Sequence, residues 1–85
     1  MVISRSESIK MQLREQLSDK ELDDTVDLFE SQMLDSLSLI ELVTFLEEKF
    51  AIEVFIEDIT KENFRSLNTI ADYVNTKLEE NISSI

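Results

Sequence analysis

The sequence contains no cysteine, histidine, glycine, proline or tryptophan in its 85 residues. Without cysteine, neither a disulfide nor a thiolate metal site can form within it. Without histidine, it lacks the commonest general base and the commonest ligand of transition metals. These absences argue against a hydrolase or a zinc enzyme. The absence of glycine also excludes a glycine-rich loop that binds phosphate.

Basic residues are scarce: 8 Lys and Arg stand against 19 Asp and Glu, which gives a formal net charge of −11. Such a surface repels nucleic acid and attracts basic patches on partner proteins. Acidity can also serve solubility alone. We therefore expect no nucleic-acid partner, and protein partners with basic docking patches.

Long apolar runs are missing as well. None approaches the ~20 residues of a membrane span, and no apolar segment follows Arg5 as it would in a signal peptide. We expect a cytoplasmic, monomeric protein in which residues 1–85 form a single domain.

Helices are favoured by a chain that has neither glycine nor proline and is rich in leucine, glutamate and isoleucine. Ser4 and Glu7 fit a capping box that starts a first helix, and Ser18-Asp19 would end it. Residues 18–35 then form a long loop. The apolar stripe of the first helix is Ile9, Leu13 and Leu17. The expected apolar anchors of the loop are Leu22, Val26, Leu28 and Phe29.

A second helix is predicted from Ser36 to Phe50, with Asp35 as its N-cap. Its apolar residues recur at about 100° per residue and form a core face. That face comprises Leu39, Leu42, Val43, Leu46 and Phe50. The opposite face comprises Leu37, Glu41, Thr44 and Glu48, with Ser36, Ile40 and Glu47 along its edge.

The remainder is predicted as an extended link over Ile52 to Ile56, a short helix near Glu57–Glu62 and a last helix capped by Ser66. The tail from Asn81 to Ile85 is expected to fray. The buried face of the last helix is Leu67, Ile70, Ala71, Val74 and Leu78. The fold class is therefore all-α: a small bundle of three long helices and one short helix, with a long first loop.

Residues 35–50 read DSLSLIELVTFLEEKF. Taken alone, Asp35 and Ser36 are ordinary residues for a helix start. The whole stretch, however, closely resembles the signature of phosphopantetheine-dependent carrier proteins: D-S-L, alternating apolar and acidic residues, then E-E-x-F. The other predicted segments, including the last helix around Ile70 to Val74, also correspond, so the resemblance covers essentially the whole chain.

The resemblance implies a carrier that has no catalytic residue of its own. Ser36 would bear 4′-phosphopantetheine, transferred from coenzyme A by a phosphopantetheinyl transferase. The thiol of this arm would hold an acyl group as a thioester for acyl-processing enzymes. The partner-facing positions of the family correspond here to Asp35, Leu37, Ile40, Glu41, Thr44, Glu47 and Glu48.

Departures from the common pattern suggest which kind of carrier this is. Carriers of fatty acid synthesis often have glycine shortly before D-S-L and an acid after it, whereas here Gln32 to Leu34 precede it and Ser38 follows. The run Met33-Leu34-Asp35-Ser36, and the block from Ile59 to Phe64, look more like D-alanyl carriers and other stand-alone carriers loaded by acyl- or aminoacyl-adenylating ligases. Phe55 stands where relatives often have proline. The favoured interpretation is a carrier of a specialised pathway, such as polyketide or nonribosomal peptide synthesis.

Two alternatives remain open: a housekeeping carrier of fatty acid biosynthesis, or an unmodified acidic adaptor. The hypothesis of a calcium site has less support still, because the acidic residues of the loop do not match the spacing of an EF-hand and the glycine of that motif is missing. Those acids are Asp19, Asp23, Asp24 and Asp27. Finally, Ala51 stands where such relatives often have glycine. We expect it to be left-handed and strained at the end of the second helix.

Overall fold

The computed structural model describes residues 3–83, with side chains for residues 3–80. Four α-helices occur in this range, and no β-strand is found among the described residues. The helices are α1 (Arg5–Gln16), α2 (Ser36–Phe50), α3 (Lys61–Phe64) and α4 (Leu67–Ser83), and a 3₁₀ turn spans Ile56–Asp58. The expected all-α fold is confirmed. Of the tail expected to fray, α4 includes residues up to Ser83, and residues 84–85 lie outside the described part of the chain.

Helix α1 begins and ends where the sequence predicts. The Ser4 hydroxyl accepts a hydrogen bond from the Glu7 backbone N–H at 3.2 Å. At the other end Ser18 is left-handed, with φ 58°. The Asp19 N–H then donates back to the Arg14 carbonyl at 3.0 Å, which is the Schellman arrangement. Ile9 and Leu13 are buried, and Leu17 packs against the same core.

The long loop lies against the bundle through apolar side chains and backbone hydrogen bonds. Leu22 and Leu28 are buried, as expected of anchors, and Val26 and Phe29 are partly buried. Leu34 is an anchor that the sequence did not indicate. The Leu28 N–H donates to the Arg65 carbonyl at 2.6 Å, and the Asn68 N–H donates to the Asp24 carbonyl at 3.1 Å. Both bonds join the loop to the segment that begins α4.

An ionic cluster of Lys10, Arg14 and Asp24 also joins the loop to α1. Lys10 Nζ lies 3.0 Å from one Asp24 carboxylate oxygen, and the Arg14 guanidinium contacts the other. Arg14 Nε donates to the Leu22 carbonyl at 2.8 Å. The two cationic side chains are only 11% and 19% exposed, so Asp24 balances charge that is largely removed from water.

Helix α2 buries the face that its periodicity predicts. Leu42, Val43 and Leu46 are buried, while Leu39 and Phe50 are partly buried at the edges of the core. The predicted core face is therefore confirmed at its centre. The opposite face is left exposed, and it carries most of the residues discussed below.

The predicted short helix near Glu57–Glu62 is wrong in its bounds, because the 3₁₀ turn over Ile56–Asp58 and a separate helix, α3, occupy this region. Thr60 interrupts it: its hydroxyl accepts from the Asn63 N–H at 3.3 Å and so caps a new helix, α3, which begins at Lys61. Phe64, at the end of α3, is fully buried. The link predicted over Ile52 to Ile56 is one residue shorter, because Ile56 begins the 3₁₀ turn. Residues 52–55 are in neither helix nor strand, and Ile52 and Val54 are buried.

The 3₁₀ turn is fixed to α4 by Asp58, whose carboxylate accepts the Tyr73 hydroxyl at 2.8 Å. The Lys77 ammonium lies 3.6 Å from the same carboxylate and 3.9 Å from the centre of the Phe55 ring. Burial of the Tyr73 phenol, together with its hydrogen bond to the Asp58 side chain, raises the pKa of Tyr73 well above its ordinary value. This hydroxyl therefore remains a donor at neutral pH.

Helix α4 lies at the centre of the fold. Ser66 and Thr69 cap it reciprocally: the Ser66 N–H donates to the Thr69 hydroxyl at 3.1 Å, and the Thr69 N–H donates to the Ser66 hydroxyl at 3.3 Å. Its predicted buried face is confirmed, with only Leu78 less than fully buried. The residues of that face that are buried are Leu67, Ile70, Ala71 and Val74.

Ala51 ends α2 in the left-handed conformation, with φ 54° and ψ 45°, as the sequence predicts. This conformation costs about 1–2 kcal/mol for a residue with a Cβ. We expect Ala51→Gly to relieve the strain, partly offset by the greater freedom of glycine in the unfolded chain. The net gain of about 0.5 kcal/mol would raise the Tm by roughly 2–4 °C in a thermal melt.

The matched control is Ala71→Gly, since Ala71 lies inside α4 and is buried. Glycine there should lower stability by at least about 1 kcal/mol, because it lowers helix propensity and opens a gap. A melt in which Ala51→Gly unfolds at or below the parental temperature would refute the strain at Ala51.

Candidate functional site

A capping box between Asp35 and Ser38 sets the start of α2. The Asp35 carboxylate accepts from the backbone N–H groups of Leu37 at 3.1 Å and Ser38 at 2.9 Å. The Ser38 hydroxyl accepts from the Asp35 N–H at 2.9 Å. These bonds fix the first turn of the helix, and they leave Ser36, its first residue, outside the capping arrangement.

The same hydrogen bonds act on the charge of Asp35. Donation from the Ser38 N–H, followed by donation from the Ser38 hydroxyl, lowers the pKa of the Asp35 carboxyl below its ordinary value. Asp35 is therefore ionised at neutral pH, and a fixed negative charge stands next to Ser36.

Ser36 is exposed and borders a shallow hollow. The hollow has a volume of about 360 Å³. Helix α2, the end of the long loop and the start of α3 all contribute to it. It is lined by Phe29, Asp35, Ser36, Leu39, Ile59, Thr60 and Lys61. A group attached to the Ser36 hydroxyl could lie in this hollow or extend into solvent.

Beyond Ser36, the outer face of α2 presents apolar residues among acids. Leu37 is 70% exposed and Ile40 is 61% exposed, which is unusual for side chains of this size. Glu41, Thr44 and Glu48 are exposed around them. An apolar centre with a charged rim is typical of a small protein–protein interface.

Glu47 differs from its expected place on the exposed edge. It is only partly exposed, and its carboxylate accepts the backbone N–H of Val54 at 3.0 Å. Because Val54 is buried, this bond satisfies a donor that is largely removed from water. Glu47 therefore ties the extended link to α2, a structural role that the sequence did not indicate.

Comparison with known proteins identifies the family. A family model described as "Phosphopantetheine attachment site" matches residues 7–74, well over half of the chain. The chain belongs to the phosphopantetheine-dependent carrier family. No match was found among curated proteins. The carrier is thus a non-catalytic protein that bears covalently attached 4′-phosphopantetheine, and this sets aside the unmodified adaptor. Carriers of this family interact with a phosphopantetheinyl transferase and with processing enzymes.

The residues at the start of α2 suit such a group. Attachment to a side chain requires an accessible nucleophile, and the Ser36 hydroxyl is exposed next to the hollow. Phe29, Leu39 and Ile59 offer apolar walls, and Lys61 offers a cation for a phosphodiester. When bound, the group supplies a thiol that holds an acyl group as a thioester.

The acids of the long loop of the carrier have structural partners of their own. Asp23 accepts from the Thr25 N–H at 2.9 Å, and Asp27 accepts from the N–H groups of Phe29 and Glu30. Asp19 accepts from the Glu21 N–H, and Asp24 binds the cations of α1. Within the described range, no three acidic side chains lie together as a metal site requires.

The sequence did not indicate a role for Lys61 or for the apolar residues that line the hollow. Lys61 belongs to the block from Ile59 to Phe64, whose sequence indicates only a resemblance to other carriers. Its place in the hollow that Ser36 lines depends on how the loop and α3 fold against α2, and no local pattern predicts that. In the part of the carrier that the structure describes, no helix is long and apolar enough to span a membrane.

Proposed function

We propose that Ser36 is the attachment residue and that the carrier serves a specialised pathway in which an acyl- or aminoacyl-adenylating ligase loads it. The assignment of Ser36 is supported by its exposed side chain at the first position of α2, within the residues 7–74 that match the family model. In the loading reaction, Ser36 Oγ forms a bond to the phosphorus on the pantetheine side of coenzyme A, the pyrophosphate bond breaks, adenosine 3′,5′-bisphosphate leaves, and the hydroxyl proton passes to a base of the transferase or to water.

The charges around Ser36 support a specialised carrier over a housekeeping one. Position 38 holds a neutral serine, where carriers resembling those of fatty acid synthesis often have an acid. Lys61 adds a cation to the hollow that Ser36 also lines. Partner enzymes that recognise a strongly acidic surface at these positions would bind this carrier with lower affinity. We place the protein in the cytoplasm, where coenzyme A is available.

A comparison of two separate loading reactions tests this assignment. The phosphopantetheine-bearing carrier is incubated separately with a D-alanine-adenylating ligase plus ATP and D-alanine, and with a malonyl transferase plus malonyl-coenzyme A. Intact mass then reports the acyl group gained in each reaction. We expect the aminoacyl gain to be the faster one. Faster malonyl gain would instead favour the housekeeping carrier of fatty acid synthesis.

The partner surface is proposed to be the outer face of α2, with Asp35, Leu37, Ile40, Glu41, Thr44 and Glu48 in contact with basic enzymes. We expect Glu41→Lys to slow association with the transferase and to reduce the salt dependence of the rate. Since Glu41 is exposed, stability should change by no more than about 1 kcal/mol. Stopped-flow association at several salt concentrations and urea unfolding measure the two effects.

Glu47→Lys is the informative comparison, because it makes the same change in charge at a residue that bonds the Val54 N–H. It should destabilise the carrier by about 1–3 kcal/mol through the unpaired buried donor. Glu15→Lys, on the exposed surface of α1, controls for net charge. If Glu41→Lys and Glu15→Lys slow association equally, the outer face of α2 is not the docking surface.

A further inference from the structure

Lys61 is the one cation among the described residues that line the hollow beside Ser36. It is exposed, and within the described part of the chain no acidic side chain pairs with it within 4.0 Å. Its ammonium instead lies 5.9 Å from the centre of the Phe29 ring. Phe29 lines the same hollow, so this contact holds the charge at the hollow that Ser36 borders.

We propose that Lys61 is a positioning residue that binds the phosphodiester of the arm, so that the first part of the arm lies in the hollow. This rests on the proposed attachment at Ser36. The pairing is an ionic contact, and no bond forms or breaks. The exposed α2 surface and the thiol end of the arm remain free for enzymes, while the phosphate end is held.

Charge at the site explains why a cation is needed there. A phosphodiester adds a negative charge beside the ionised Asp35 carboxylate, in a chain whose net charge is already −11. Repulsion from Asp35 and from the acidic surface would drive the phosphate away from the hollow. Lys61, which lines the same hollow, supplies the compensating attraction.

The apolar walls add a second reason for the arm to remain. Leu39 and Ile59 are partly buried and packed against the core, and together with Phe29 they form a firm surface. The dimethyl group next to the phosphate in pantetheine is the first apolar part of the arm. With the phosphate held by Lys61, this group comes within reach of these walls.

The test is NMR of the full chain, isotopically labelled, before and after loading with phosphopantetheine. In the parent we expect loading to shift the amide signals of residues 59–61, and the ³¹P signal of the arm to move with salt. Raising salt from about 0.1 M to about 1 M shortens the screening length from about 10 Å to about 3 Å, which would release the phosphate. In Lys61→Gln the shifts on loading should fall by a factor of about two to five.

Lys49→Gln is the matched control, because it removes the same charge from the last turn of α2, far from Ser36. It should leave the shifts and the salt response as in the parent. Equal behaviour of Lys61→Gln and the parent, with loading intact, would overturn the role of Lys61. Failure of the parent to gain the arm would instead count against the proposed attachment at Ser36, since intact mass reports loading separately.

Discussion

Ser36→Ala is expected to abolish the gain of phosphopantetheine completely while leaving the fold intact. Alanine removes the hydroxyl to which the arm would be joined. The side chain is exposed and outside the capping box, so no core contact is lost. Intact mass after incubation with coenzyme A and the transferase, together with circular dichroism, measures both outcomes.

Ser38→Ala should give the opposite pair of results. Its hydroxyl accepts the Asp35 N–H, so its removal should destabilise the helix start by about 0.5–1 kcal/mol. The Ser36 hydroxyl is untouched, and loading should proceed. If Ser36→Ala still gains the mass, or if Ser38→Ala stops the gain while still folded, the attachment residue has been assigned wrongly.

Asp24→Ala is expected to be among the most destabilising single changes on the surface of the carrier. It leaves Lys10 and Arg14 side by side, largely out of water and without the carboxylate that they share. Removing one partner of a buried pair costs about 3–5 kcal/mol. Because Asp24 is 31% exposed, we expect the lower value of about 2–3 kcal/mol. A Tm decrease of about 10–20 °C would follow in a domain of this size.

Asp24→Asn keeps the shape and removes only the charge, so its effect should lie between those of the parent and Asp24→Ala. Glu21→Ala is the control, since it removes an exposed acid from the same loop and should change stability by less than about 0.5 kcal/mol. Hydrogen exchange should also quicken at the Asn68 amide, which donates to the Asp24 carbonyl. Equal stability of Asp24→Ala and Glu21→Ala would contradict the role of the ionic cluster.

The long helices could be predicted because their signals are local. The bounds of α2 follow from Asp35, from the apolar period and from the change of conformation at Ala51, all within one stretch of chain. The region between α2 and α4 could not be predicted as well. The 3₁₀ turn and α3 in this region depend on the Thr60 cap and on the burial of Phe64 against α4. The burial of Phe64 is a tertiary contact.

The candidate site divides in the same way. Ser36 and the exposed face with Leu37 and Ile40 could be read from one helix. Glu47 could not, because its bond to Val54 depends on the path of the chain after α2. Nor could Lys61, which lines the same hollow as Ser36 only through the packing of three separate segments.

The central claim is that Ser36 carries the arm, and peptide mapping of the loaded chain tests it most directly. The full-length protein is incubated with coenzyme A and a broad-specificity phosphopantetheinyl transferase, digested, and sequenced by tandem mass spectrometry. The account predicts one added phosphopantetheine group per chain, on the peptide that contains Ser36 and at that residue. An unmodified chain, or a group attached at any other residue, would contradict it.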